Sequence, residues 1–302
     1  MARNSGKNEG RTDPGRTLAL LWRDYYGPAR NARGPKQGLT VDRIVDAAIH
    51  IADEEGLAAL SMRKVAEPLG VSTMSLYTYV NGRAELVNCM FDKILSESPS
   101  LDGVEDGWRA ALERYARGAH DIALRHPWVP PLMSSRMLMG PHETAVWDGV
   151  LRAVSATGLD ERDMLAVVNL VNGYVRGAAL QDADSRQDER RGGLSHQEWF
   201  ERTGPELERL IPFTRFPTLT RVWMTGVFEE PGSGFGADGG FEFGLQRVLD
   251  GVERHVDRCA ADRAEGGREE GGREEGGRAD LRDPSSPAAD AGTTTGRDVS
   301  SG

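Results

Sequence analysis

The sequence predicts an all-α protein, with an N-terminal three-helix helix-turn-helix domain and a larger α-helical domain behind it. Apolar residues return at helical spacing in one segment after another between residues 41 and 259. No stretch sustains the apolar–polar alternation of a strand. Two short helical patterns, 62–69 and 73–80, are joined by a turn containing Gly70, the sequence form of a helix-turn-helix. The 302 residues suit one or two domains of roughly 100–200 residues each. They divide into a basic, largely disordered arm over 1–38, a helix-turn-helix domain over 39–97, a helical domain over 98–260 and a disordered Gly/Arg/Glu-rich tail over 261–302.

Taking the segments in order, the arm carries eight Lys and Arg against Glu9, Asp13 and Asp24, so the overall charge of −10 does not exclude a nucleic-acid partner. Its stretch 19-ALLWRDYYGPARNARGPKQG-38 leaves two readings open: a segment that tracks phosphates, or Trp22, Tyr25 and Tyr26 covering the body of the protein. Val41, Ile44, Val45, Ala48, Ile51 and Ala52 then mark one face of an amphipathic helix, with Thr40 as N-cap and Gly56 at its end. Ser61 caps a second helix whose apolar face is Met62, Val65, Ala66 and Leu69. Ser72 caps a third over 73–80, anchored by Leu76 and Val80. Pro68 falls inside the second helix and is expected to distort its last turn. A fourth helix from about Arg83 to Glu97 turns Leu86, Met90 and Ile94 inward.

Helices of this length are marginal alone, since about 12–15 residues are needed in water, so the second and third require the first and fourth as a platform. The outer face of the third bears Thr73, Ser75, Tyr77, Thr78 and Tyr79 and no acid. Hydroxyls bond base edges or phosphates, and a helix N-terminus favours an anion, which suits a DNA groove. Arg63 and Arg83 flank this face as phosphate clamps. An ordinary polar helix surface is the competing reading.

Behind this unit, helical patterns run over 108–126, 142–157, 160–182, 195–211, 217–228 and 241–259, with a Gly-rich loop at 231–240. The 160–182 helix is apolar almost all round and is expected to be buried. Asn169, Asn172 and Arg176 share one stripe on it, bordered by Gly173 and Gly177. The stripe suits a close-packed dimer seam, the polar wall of a ligand pocket, or a solvent face. Around the prolines at 127, 130 and 131 stand Trp128, Met133, Met137, Met139, His142 and Trp147. Flexible thioethers and aromatics of this kind suit an adaptable pocket, although each also suits a core.

Composition limits the alternatives. No run of 18 apolar residues is present, so no membrane span is expected, and the basic start leads into no long apolar stretch of a secretory signal. Cys89 and Cys259 form neither a disulfide framework nor a zinc set; both read as small core hydrophobes in a reducing cytoplasm. The six histidines show no i, i+4 pair, and neither a phosphate loop nor a nucleophile elbow occurs, so no metal, cofactor or catalytic chemistry is expected. The tail repeat EGGREEGGREEGGR buries almost nothing and shows no helical period.

The run 39-LTVDRIVDAAIHIADEEGLAALSMRKVAEPLGVSTMSLYTYVNGRAELV-87 resembles the DNA-binding domain of the TetR family of bacterial regulators. The resemblance implies a DNA-facing set of Thr40, Ser61, Arg63, Ser72, Thr73, Met74, Ser75, Tyr77, Tyr79 and Arg83. Within it Thr73, Met74 and Ser75 face bases, and Arg63 and Arg83 meet phosphates. It implies that the second domain binds a small-molecule effector and dimerises, with Trp128, Met133, Met137, His142, Trp147, Asn169 and Asn172 as the effector-binding set. It further implies a homodimeric, ligand-responsive repressor on an inverted-repeat operator in double-stranded DNA, and for the 160–182 stripe it favours the seam. Pro68 and Gly82-Arg83 depart from the family pattern. They support the alternative of a helical small-molecule-binding or catalytic protein whose helix-turn-helix no longer binds DNA.

Overall fold

The computed structural model describes residues 13–25, 38–103, 106–133, 137–192, 194, 196–228 and 240–277. Met1–Val256 form one compact unit and Asp257–Gly302 a second. Among the described residues every regular element is helical, and no helix is long and apolar enough to cross a membrane. Tyr26, Arg30, Arg33, Lys36, most of the 231–240 loop and residues 278–302 lie outside the described residues.

Helix α1 (Pro14–Leu21) occupies part of the segment expected to be a disordered arm, with Asp13 accepting from Gly15 N as its cap. It packs on the fourth helix of the head, burying Thr17 and Leu21. Trp22 then covers the body of the protein, its Nε1 donating to the Met139 carbonyl at 2.8 Å, whereas Tyr25 is exposed.

α2 (Val41–Glu55) follows the sequence pattern: Thr40 accepts from Arg43 N, and Ile44, Val45, Ala48, Ile51 and Ala52 are buried. Gly56, at φ 81, releases the chain into a short 3-10 turn over Leu57–Ala59 that the periodicity did not foretell. α3 (Met62–Ala66) stops earlier than expected, so Pro68 lies in the turn after it, where Gly70 N and Val71 N close back on Glu67 and Ala66. Pro68 has no N–H to continue the helical ladder, and the expected last turn is replaced by these non-helical bonds. α4 (Thr73–Tyr77) is likewise shorter than 73–80, and Leu76 and Val80 are fully buried beneath it. α5 (Arg83–Leu95) closes the head.

α6 (Gly107–Arg125), α7 (Pro141–Ser155) and α8 (Glu161–Gly192) pack mutually, and α7 also packs on α5. α8 is longer than expected and is not buried all round. Val167, Val168, Val171, Val175 and Ala179 point inward, while Leu165 and Leu170 stay 46% and 52% exposed. α9 (His196–Leu210), a second 3-10 turn (Phe213–Arg215) and α10 (Pro217–Trp223) carry an aromatic cluster of Phe200, Phe213, Trp223 and Phe228. α11 (Phe241–Gly277) buries Leu245, Leu249 and Val252 and runs on past residue 260, where a disordered tail was expected. Extending an established helix fixes one residue per added bond and avoids the nucleation cost, so a weak composition suffices. Cys89 is buried and its thiol is pushed up to about 12 by that burial, whereas Cys259 is half-buried and no core residue.

The core of the head continues into the body: Ile122, Trp128 and Val129 belong to the same apolar cluster as Leu76, Leu86 and Met90. Leu76→Ala should lower stability by about 2–5 kcal/mol. Tyr77→Ala, on the exposed side of the same helix, should change it by less than about 0.5 kcal/mol. Urea denaturation of the two variants checks both.

Candidate nucleic-acid interface and cavity

Five residues cannot hold a helix by themselves, so α4 exists because its ends are satisfied and one side chain is sunk. Ser72 Oγ accepts from Ser75 N at 3.2 Å, and Leu76 is 0% exposed. What remains faces outward: Met74 is 74% exposed, Tyr77 and Thr78 are exposed, and Thr73 and Ser75 are half-buried. Ser75 Oγ lies 2.9 Å from Ser72 Oγ. Tyr79 packs partly against the head core and is more support than surface. Thr40 and Ser61 are exposed and cap α2 and α3.

The two arginines expected to act as phosphate clamps are placed differently. Arg63 is exposed and has no partner among the described residues. Arg83 Nε donates to the Leu60 carbonyl at 3.0 Å and its Nη2 to the Leu57 carbonyl at 2.7 Å. It ties the 3-10 turn to the start of α5, a role sequence spacing could not show because the two sites are 23–26 residues apart. Lys64 is ion-paired to Glu55.

A second feature is a cleft bounded by α5, α6, α7, α8 and by Val129, Leu132, Met133 and Met137. Met133, Met137, Trp147 and Asn172 of the effector-binding set line it; Trp128, His142 and Asn169 do not. Trp128 is buried and donates from Nε1 to Asp53 Oδ1 at 2.6 Å, which also accepts from His126 Nδ1 at 2.8 Å. It therefore joins the head to the body. His142 Nδ1 pairs with Asp92 Oδ2 at 2.9 Å, and Asn169 is exposed on the outer side of α8. The stripe read on α8 is split: Asn172 turns to the cleft, Arg176 donates to the Pro130 carbonyl, and Asn169, Gly173 and Gly177 face solvent.

Sequence reasoning missed Phe91, Leu95, Tyr115 and Glu143, which also line the cleft. Tyr115 OH donates to Asn172 Oδ1 at 2.5 Å, and burial pushes the phenol up to about 12. Burial likewise holds the Glu143 carboxyl above the usual carboxylate range. The backbone N–H groups of Met139 and Leu138 oppose the shift, and the nearby Asp92 adds to it. A lone tyrosine on the apolar face of α6 was the available signal; a glutamate in the first turn of α7 reads simply as dipole-favoured.

Asp92 links the cleft to the head. It is buried on α5 and accepts from His142 N and Glu143 N, capping the start of α7. Gly140 admits it: a β-carbon there would stand 2.2 Å from Asp92 Oδ1.

Residues 44–90 match the family described as "Bacterial regulatory proteins, tetR family", and residues 101–256 match "Tetracyclin repressor-like, C-terminal domain". The chain belongs to the TetR family. It is a DNA-binding transcriptional repressor of that family and not an enzyme. It is 41% identical over 252 residues to the transcriptional repressor DrrR1 of Streptomyces coeruleorubidus, covering 82% of this chain and 89% of that one. It is 26% identical over 231 residues to the class A tetracycline repressor of transposon 1721 from Escherichia coli, covering 72% and 91%. Among solved structures it is similar to the Streptomyces coelicolor TetR-family protein ActR in complex with actinorhodin, at 28% identity and a TM-score of 0.59, covering 72% of this chain and 96% of that one.

Arg83→Ala should destabilise the head by about 1 kcal/mol, because two carbonyls lose a charged donor. Arg83→Lys should not restore it, since an ammonium cannot span both acceptors as the planar fork does. Thermal melts of the three proteins, in the absence of DNA, test this.

Proposed function

We propose that the protein binds a short inverted-repeat operator as a homodimer in the bacterial cytoplasm, and that a small molecule entering the cleft releases it. The observation that carries the DNA reading is the outward face of α4. It is hydroxyl-rich, free of acids, seated on a buried Leu76, and flanked by the exposed Arg63. In this arrangement Thr73, Met74 and Ser75 meet base edges, Tyr77 and Arg63 meet backbone, and Thr40, Ser61 and Ser72 present helix N-termini to phosphates. Arg83 supports the surface from behind. Two-fold symmetry sets the two recognition helices about 34–36 Å apart, one DNA turn.

The dimer reading rests on the exposed side of α8. Leu165, Asn169, Gly173, Gly177 and Gln181 recur every fourth residue with Leu170 beside them, all exposed. A β-carbon at Gly173 or Gly177 would meet nothing within 4 Å, so a second helix can approach the backbone closely. α11 lies alongside and antiparallel, held by Tyr174 OH on the Phe241 carbonyl and His255 on Asp163, and adds the exposed Phe243. These two helices supply a four-helix seam.

Release follows from the position of the cleft. Phe91 and Leu95 of α5 form one wall, and Asp92 between them caps α7. A ligand that presses on this wall favours a different setting of α5, and α4 moves with it. ActR has been solved with actinorhodin and with (S)-DNPA, so a homologous fold accepts organic ligands. A coupling of about 1–3 kcal/mol between cleft and operator changes affinity about 5–150-fold.

Arg63→Ala should weaken binding to all DNA alike and lower the salt slope by about one, whereas Ser75→Ala should alter sequence preference. Gel shifts at several salt concentrations, against the upstream region of the protein's own gene and against random DNA, read both. Leu170→Arg should yield a folded monomer in sedimentation velocity and abolish operator binding at concentrations that saturate the wild type; a variant that stays dimeric refutes this seam.

A further inference from the structure

The cleft contains a buried carboxyl group with no base beside it among the described residues of the lining. Glu143 is only 8% exposed. Its Oε2 accepts from Leu138 N at 2.8 Å and Met139 N at 2.6 Å, and the Gly140 N–H also acts on the carboxyl, so only backbone amides answer it. Among the described residues no Lys, Arg or His lines the cleft. The neighbouring charge that acts on Glu143 is another acid, Asp92, and Arg176 one turn beyond Asn172 is turned to the Pro130 carbonyl. A buried carboxylate in this setting lacks what it ordinarily requires, an opposing charge or a full set of donors.

The walls around it restrict the rest of the ligand. Phe91 and Trp147 offer aromatic surface, and Met133 and Met137 offer flexible thioethers, so a flat apolar body is accommodated. Asn172 accepts from Tyr115 through Oδ1 and keeps its amide N–H to donate.

Resting on the reading of the cleft as the effector site, we propose that the effector is a flat, largely apolar molecule bearing a cationic nitrogen, and that this nitrogen pairs with Glu143. A cation there forms a charge-assisted hydrogen bond in a low-dielectric site and gains from the aromatic faces beside it. An anionic ligand meets the Glu143 carboxyl and, among the described residues of the lining, no base.

The test compares one ring system with and without charge. Proflavine is cationic at neutral pH and its parent acridine is neutral there. Calorimetric titration of each into the full-length protein, in the absence of DNA, should show proflavine bound at least about tenfold more tightly. The ratio should fall to near one in Glu143→Gln, and also in Met137→Lys, which places a cation at a half-exposed position of the lining without touching Glu143. Equal affinity of the two dyes for the wild type would overturn the cationic pairing and leave the cleft as an effector site. Binding of neither dye would overturn both. A Glu143→Gln protein that melts lower yet keeps the wild-type ratio would show that this carboxylate serves only to cap the 138–139 backbone.

Discussion

Helix α5 must satisfy two cores at once. Leu86, Met90 and Ile94 complete the helix-turn-helix head, while Phe91 and Leu95 wall the cleft of the body. With Glu85 and Asp92 also buried, almost every face of this helix is in contact with protein. Buried carboxylates persist only when their oxygens are answered. Asp92 is answered by the first amides of α7 and by His142, and Glu85 by Asn81 N and Thr17. The polar groups of α5 therefore fix how the head meets α1 and α7. Apolar contact between smooth surfaces would tolerate a slide; a carboxylate seated on two amides against a glycine does not.

That arrangement explains why the head was legible in the sequence and the joint was not. The caps Thr40, Ser61 and Ser72 and the buried faces of α2 to α5 depend on neighbours three or four residues away, and local spacing encodes them. Trp128 looked like a pocket residue because its partner, Asp53, lies more than seventy positions upstream. Arg83 has a tie to the carbonyls at 57 and 60 that nothing local reveals. The cleft was half legible for the same reason: its thioethers and Trp147 cluster along the chain, but Phe91, Tyr115 and Asn172 come from three other helices. α8 was misread as wholly buried because an apolar surface is written identically whether it faces its own core or stands exposed as Leu165 and Leu170 do.

The recognition surface has no stability of its own. α3 and α4 are five residues each, well short of what holds in isolation. Each is pinned by a serine cap and by side chains sunk into a core that α2, α5 and Trp128 complete. A flexible recognition element would lose affinity to the entropy of ordering it on DNA; this one is ordered beforehand, at the expense of being tied to everything beneath it.

In the proposed mechanism the same tie makes regulation cheap in structural terms. Leu76 and Val80 cannot keep their burial if α5 turns, since Leu86 and Met90 belong to the cluster that covers them. Packed interiors at near-crystalline density shift between discrete arrangements and do not stretch. A ligand at Phe91 and Leu95 thus need not reach the DNA-facing side chains, nor unfold anything. It has only to favour a second seating of Asp92 against α7. The distance between cleft and groove is bridged by one rigid helix whose two ends answer to different partners.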